Sequence, residues 1–164
     1  MSPRLQELLA DLPARSRSIV VDRMHYLDDT LSMRQMAEFY RSADALVAPY
    51  RADAFNLPVL EASACGVPVI CTKYGPTDDF MQDDFALFID SVLTPYKGRT
   101  FSGLQLGPSL DHLIELMFRV MDDENWRNNA SRMGAAHAAA NYNWDDMAAR
   151  LLDVIFTSHS DSVR

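Results

Sequence analysis

The stretch ALVAPYRADAFNLPVLEASACGVPVICT, residues 45–72, decides how this chain folds. Ala45–Ala48 is a short apolar run closed by Pro49, the pattern of a buried strand. Tyr50–Asn56 reads as a loop, and the run after it as a helix. Pro58 falls in that helix's first turn, where its missing N–H would have had no partner anyway. Gly66 stands where a helix end favours glycine, and Val67–Thr72 is a second buried strand.

Working outward, Ser18–Asp22 (SIVVD) predicts an earlier strand from its β-branched residues. Ser32 and Gln35 form a capping-box pattern ahead of a helix whose apolar face carries Met33, Met36, Ala37 and Tyr40. Lys73–Asp84 is a polar loop with one helical turn near Asp78–Met81, and Phe85–Ile89 (FALFI) is a further strand. Strands and helices alternating at this spacing imply right-handed crossovers and a parallel sheet. The expected fold class is therefore α/β, a Rossmann-like open parallel sheet with flanking helices. Asp90–Pro108 has no period and predicts an irregular loop, long enough to suggest a function of its own. Three helices follow and make a helical C-terminus, capped by Ser109, by Asp122 or Asp123, and by Asn143. Asp145 and Asp146 sit in the last helix's first turn, where its dipole favours them.

With 164 residues, 48% of them hydrophobic and 23% charged, the chain is long and apolar enough for one core without staples. No apolar run approaches the ~20 residues of a membrane span. The first residues lack the apolar core of a signal peptide, which leads us to expect a cytoplasmic protein. A net charge of −8 without a concentrated basic face argues against nucleic acid as a partner. Cys65 and Cys71 read as small buried thiols rather than a disulfide or half of a zinc site. His25, His112, His137 and His159 have no metal-ligand spacing, and Asp28-Asp29 and Asp78-Asp79 read as polar loops or caps. No metal site is expected. No G-x-G-x-x-G follows a strand, so a nicotinamide-binding role is weakly supported.

The chemistry gathers at the loop-to-helix join Asp53–Glu61. The N–H groups of Leu57, Val59 and Leu60 at the helix start lie above the carboxyl ends of the strands, where open α/β sheets bind ligands. Asp53 can accept hydrogen bonds from ligand hydroxyls, and Glu61 can accept two from a vicinal diol. A nucleotide sugar fits that description. Equally, Asp53 is an ordinary loop residue, and Glu61 a carboxylate that the first helical turn favours. Spacing alone leaves both readings open.

The run ADALVAPYRADAFNLPVLEASACGVPVICTKYGPTDDF, Ala43 to Phe80, resembles the signature region of the retaining, nucleotide-sugar-dependent glycosyl transferases group 1. In that family a strand ending in proline precedes E-G-F-G-L-P-x-L-E-A-M-A-C-G-x-P-V-I, a Gly-Gly turn and an acidic residue. The tail from Asn143 through Trp144 to Phe156 also resembles the family's closing helix, with Trp144 in the place of its usual tryptophan. The resemblance implies the C-terminal, donor-binding half of a two-domain GT-B fold. It implies that residues 1–164 are a single donor-binding domain truncated on its N-terminal side, with the N-terminal acceptor domain missing.

On that resemblance, Glu61 matches the acidic residue that binds the donor ribose. Asp53 stands where the family's glutamate contacts the transferred sugar, and these two are the catalytic candidates. Ala54, Phe55, Asn56 and Leu57 occupy the stretch whose amides approach sugar and diphosphate, while Gly75, Pro76 and Thr77 border the donor. Asp53 is one methylene shorter than glutamate, Ala54 and Asn56 replace glycines, and Tyr74-Gly75 replaces a glycine pair. Arg51 and Lys73 are the nearest cations in sequence. The implied function is transfer of a hexose-type sugar from a UDP-, GDP- or similar nucleotide sugar to a glycan, lipid or protein, with no further cofactor. An isolated domain is expected to be inactive. A role in polysaccharide biosynthesis and association with a membrane surface through the full-length protein go with the resemblance. The alternative is a non-catalytic binding or scaffold domain on the same fold.

Overall fold

The computed structural model describes residues 3–27, 29–98 and 102–157, which fall into two compact units, Met1–Met33 and Arg34–Arg164. Asp28 and His159 lie outside the described residues.

The first unit holds two helices, α1 (Pro3–Ala10) and α2 (Ala14–Arg23). The run SIVVD, expected as a strand, lies inside α2. A β-branched run becomes a strand only when a neighbouring strand receives its hydrogen bonds. Here the bonding is local: the Arg17 N–H donates to Pro13 O at 2.9 Å, starting a helix whose Ile19, Val20 and Val21 all stay substantially exposed.

The second unit takes up α3 (Met33–Arg41) from its second residue, followed by β1 (Leu46–Ala48), α4 (Leu57–Ala64) and β2 (Val69–Thr72). A 3-10 turn at Pro76–Asp79 leads to β3 (Ala86–Ile89). The three strands form one parallel sheet in the order β1-β2-β3, with Val47 opposite Ile70 and Ile70 opposite Leu87. The helix α4 ends as its glycine dictates. Gly66 takes φ 77°, and the N–H groups of Gly66 and Val67 donate to Ser63 O and Ala62 O, each at 2.9 Å.

All four residues of β2 are buried, so the strand's period of two divides the core into two layers. Val69 and Cys71 pack with Val59, Ala62 and Ala130 in one cluster. Ile70 packs with Leu87, Ile89, Leu116 and Val120 in the other. The first layer is covered by α4 and α6 (Glu124–Asn141), the second by α5 (Leu110–Asp122). Burying a Val or Ile side chain completely contributes about 1.5–3 kcal/mol, so these layers hold the sheet between its helices. The caps form as the sequence predicts. Ser109 accepts from the His112 N–H at 3.3 Å, Asp123 from Trp126 at 2.8 Å, and Asn143 from Asp146 at 2.8 Å at the head of α7 (Trp144–Thr157).

The segment 90–108 is not the expected irregular loop. It forms an antiparallel hairpin of β4 (Ser91–Lys97) and β5 (Ser102–Pro108), with Leu93 opposite Leu106 and Pro95 opposite Leu104. A two-stranded ribbon leaves Val92, Leu93 and Leu104 exposed, so it needs no alternation of polar and apolar residues, and an edge strand tolerates Pro95. Its base is closed by the Ser109 N–H on Asp90 O, and Leu106 N–H donates to Arg51 O, both at 2.8 Å.

Candidate active site

Two loops leave the carboxyl ends of the adjacent parallel strands β1 and β2, and they contain every candidate site residue except Leu57, which opens α4, and Glu61, its fifth residue. In the first loop Asp53 folds back on its own chain. Its Oδ1 accepts the N–H groups of Phe55 at 3.1 Å and Asn56 at 2.8 Å, and no described residue bonds Oδ2. This closure brings Asn56 to φ 68° and ψ 58°, the left-handed conformation, immediately before α4. Asparagine tolerates that region better than most side chains do. Asn56 is 8% exposed, so its side chain does not fill the space above the loop as an outward-facing one would. Ala54 and Leu57 are exposed, and Phe55 stacks on Phe80 with centroids 4.8 Å apart.

Of the three amides expected to face a ligand, that of Val59 is already used. It donates to Asn56 O at 3.0 Å, since the carbonyl of a helix's cap residue accepts the first bonds of the helix. The remaining polar feature of this helix start is Glu61. Its half-buried carboxylate accepts the Tyr40 hydroxyl on Oε2 at 2.9 Å, and no described residue bonds Oε1. Tyr40 comes from the end of α3, and its phenol is held well above its ordinary value. Burial is the main cause, then the hydrogen bond to Glu61 and the charges of Glu61 and Cys65. The phenol therefore remains a donor, and it fixes the orientation of Glu61 while leaving one oxygen for another partner.

A second tyrosine joins the two loops. The Tyr50 hydroxyl donates to Thr72 O at 2.9 Å and lies 2.7 Å from Thr77 Oγ1, while the Thr72 hydroxyl donates to Tyr50 O at 2.8 Å. Burial raises this phenol too, partly offset by the hydrogen bonds to Thr77. Thr77 is fully buried and its hydroxyl is engaged by this network, whereas Gly75 and Pro76 are half-buried at the surface. A Cβ on Gly75 would lie 2.2 Å from Tyr50 Oη, so the glycine is required by the close passage of that ring. Tyr74 adopts a conformation that favours glycine, with φ 67°, held by its N–H on Asp78 Oδ2 at 2.8 Å.

The structure thus places Asp53–Asn56 and Gly75–Thr77 in the loops that leave the carboxyl ends of β1 and β2, with Leu57 opening α4 and Glu61 its fifth residue, bonded to Tyr40. Tyr40, which bonds Glu61, and Tyr50, which ties the two loops together, are hardly signalled by the sequence. Tyr40 read as part of α3's apolar stripe, and the one signal available was a phenol at the end of that stripe. Lys73 Nζ sits 5.8 Å from the Tyr74 ring centre and lines an open depression of about 290 Å3 with Asp78, Met81, Gln82, Asp83 and Phe88. That depression includes neither Asp53 nor Glu61. Arg51 is exposed. Both cysteines are free thiols, and burial pushes Cys71 up to about 12, which makes it unreactive. Among the described residues no group of three His, Cys, Asp or Glu side chains is placed to hold a metal ion. No described helix is long and apolar enough to cross a membrane.

A parallel sheet covered on both faces, with polar loops converging at the carboxyl ends of neighbouring strands, defines an α/β protein of the open-sheet, ligand-binding kind. Residues 4–95, more than half of the chain, match the family described as glycosyl transferases group 1, and the chain belongs to that family. It is 30% identical over 120 residues to a D-inositol 3-phosphate glycosyltransferase 1 of Catenulispora acidiphila, a match covering 73% of this chain and 25% of that protein. It is 29% identical over 132 residues to a GDP-mannose-dependent monoacylated alpha-(1-6)-phosphatidylinositol monomannoside mannosyltransferase of Corynebacterium glutamicum, covering 76% of this chain and 30% of that one. The chain spans about a quarter of the length of these curated relatives. Its fold matches sucrose-phosphate synthase from Thermosynechococcus elongatus with a TM-score of 0.73 at 20% identity, over 97% of this chain and 34% of that one. It also matches the C-terminal domain of a glycosyl transferase group 1 family protein from Francisella tularensis, with a TM-score of 0.63 at 18% identity, over 87% of this chain and 66% of that one. The fold is that of the C-terminal half of a GT-B glycosyltransferase.

Proposed function

We propose that this chain is the nucleotide-sugar-binding lobe of a retaining glycosyltransferase that moves a hexose-type sugar from a UDP- or GDP-sugar to an acceptor bound largely by another domain. The observation that supports this reading is the Tyr40–Glu61 hydrogen bond, which fixes a carboxylate of α4, the helix that follows the Asp53 loop, with one oxygen still open. Glu61 takes the ribose hydroxyls. Asp53, with its Oδ2 open, takes the sugar, and the loops 54–57 and 75–77 approach the diphosphate. The family membership supports this assignment, and the GDP-mannose dependence of the Corynebacterium relative makes a guanosine donor one of the two to test first. The reaction needs stabilisation of the departing diphosphate, for which this lobe offers the Leu57 amide and the nearby Lys73 and Arg51. An acceptor domain in the same polypeptide, action in the cytoplasm and contact with a membrane surface through the longer protein belong to the same reading.

A ligand of the folded form raises its melting temperature. We expect UDP and UDP-glucose, or GDP and GDP-mannose, to raise it in this chain. Glu61→Gln should weaken binding about 10- to 100-fold, the loss of charge-assisted hydrogen bonds to a diol. If none of the four shifts the melting curve, the donor-lobe reading fails. Sugar transfer by the 164-residue chain alone would overturn the expected inactivity of the isolated lobe.

One observation favours the second reading, a non-catalytic binding domain. Asp53 Oδ1 is engaged by two amides of its own loop, so the shorter acid has a sufficient structural role. On that reading Asp53→Asn lowers stability and leaves nucleotide-sugar affinity equal to nucleotide affinity; on the catalytic reading it selectively weakens the nucleotide sugar.

A further inference from the structure

A row of aromatic rings runs from the end of α6 to the loop that carries Asp53. Tyr142 follows the last turn of α6, its N–H donating to Ala138 O at 2.9 Å. Its ring meets Phe80 nearly edge-on, with centroids 6.1 Å apart and planes at 71°. Phe80 is 2% exposed within the core cluster, and its other aromatic neighbour is Phe55, stacked at 4.8 Å and 21°. Behind Tyr142 stands the His137 ring at 5.8 Å, itself 5.0 Å from Phe85. The Tyr142 hydroxyl points to Asp79 O at 3.4 Å, at the end of the second site loop's turn.

Phe55 occupies the centre of the Asp53 loop, and its own N–H is one of the two bonded to Asp53 Oδ1. Those hydrogen bonds set the loop's curvature but not where it rests against the core. The next residue, Asn56, holds a left-handed backbone, which a non-glycine residue keeps only where its surroundings hold it there. The stack of Phe55 on Phe80 is the contact available for that anchorage. Phe80, itself part of the buried core cluster, meets Tyr142 on another side, and offset and edge-on ring pairs are directional contacts.

We propose that Tyr142 is a positioning residue for the Asp53–Asn56 loop, acting through Phe80 and Phe55 and touching no ligand. Its consequence for the donor rests on the function proposed above. Glu61 is not in the row: it is fixed by Tyr40. Loss of Tyr142 therefore affects the sugar end of the site and spares the ribose end.

The test uses Tyr142→Leu and Tyr142→Phe in the whole chain. Amide hydrogen exchange, read without ligand, should speed up about 3- to 10-fold at Phe55 and Asn56 in Tyr142→Leu, the effect of losing one ring contact. Tyr142→Phe should leave these rates unchanged, as should both variants at Ile70 and Cys71 in β2. Unchanged rates at Phe55 and Asn56, or equal acceleration at Ile70 and Cys71, overturn the proposal, the latter by showing general destabilisation. If the leucine variant does not fold, Tyr142→Met keeps the apolar volume without the ring and reads the same effect. Titration then uses UDP against UDP-glucose and GDP against GDP-mannose. Tyr142→Leu should weaken the nucleotide sugar about 3- to 10-fold more than the free nucleotide. Equal weakening of both overturns the positioning of the sugar end. Wild-type protein that binds none of the four defeats the donor-site reading, while the exchange rates still decide whether Tyr142 positions the loop.

Discussion

Glu61 and Tyr40 form one unit at the residue scale, because a carboxylate at a helix start has many rotamers until something selects one. Tyr40→Phe keeps the ring's packing and deletes the hydroxyl. The net worth of such a hydrogen bond to the fold is about 1 kcal/mol, so we expect the melting temperature to fall by about 2–4 °C, and nucleotide affinity to fall about fivefold as the orientation of Glu61 is lost. Isothermal titration with UDP and GDP checks this; unchanged affinity would mean that Glu61 needs no orientation. Gly75→Ala is the harsher change. Its Cβ would meet Tyr50 Oη at 2.2 Å and Cε2 at 2.6 Å, and that ring is held at both ends of the network with Thr72 and Thr77. Overpacking of this kind costs about 1–3 kcal/mol, measurable by urea unfolding. That Asp53 lies in a loop after β1 and Glu61 in α4 was legible in the sequence, because Pro49 at the strand's end and Pro58 in the helix's first turn are local signals. The two tyrosines were not. Tyr40 meets Glu61 across 21 residues and Tyr50 meets Thr72 across 22, and nothing local records either pairing.

Elements whose signals are local were readable: the Gly66 helix end, Pro58 in the first turn of α4, and the caps of α5, α6 and α7. Elements that depend on a partner were not. The run SIVVD has strand composition, yet it lies in α2 because no described strand receives it. The hairpin β4–β5 has loop composition, yet pairs along its length because its two strands supply each other's partners. The contact between α4 and α6 shows the same dependence. Gly134 sits in the middle of α6, where alanine is ordinarily better by about 0.5–1 kcal/mol. Here a Cβ would lie 2.6 Å from the hydroxyl of buried Ser63 and 3.4 Å from Phe85. Gly134→Ala should therefore destabilise, and Ser63→Ala in the same chain should return the helix-propensity gain. The double variant is expected to be at least as stable as Ser63→Ala alone in thermal melts. Additive losses would show that Phe85, not Ser63, is the obstacle.

For the whole molecule, the buried acids that stay protonated in the fold predict how it fails in alkali. Cys71 has its thiol raised from 9.0 to about 12 by burial, and Tyr40 and Tyr50 have phenols raised above 10.0 for the same leading reason. In each case the folded protein holds its proton more tightly than the unfolded chain does. Between the two values the unfolded state binds fewer protons, so unfolding becomes more favourable as pH rises. Their contribution is complete below pH 9 and is lost first through Cys71, between pH 9 and about 12, then through the tyrosines above pH 10. Cys71 lies in β2, the strand buried on both faces, so its ionisation strikes where both core layers meet. Melting temperatures measured from pH 7 to 11 should begin to fall near pH 9 in the native chain. In Cys71→Ala the fall should begin near pH 10, from a lower but flatter start set by the small cavity. Tyr40→Phe should leave the onset unchanged and soften the slope above pH 10. A Cys71→Ala curve that turns down as early and as steeply as that of the native chain would show that the thiol's proton does not govern the first step of alkaline unfolding.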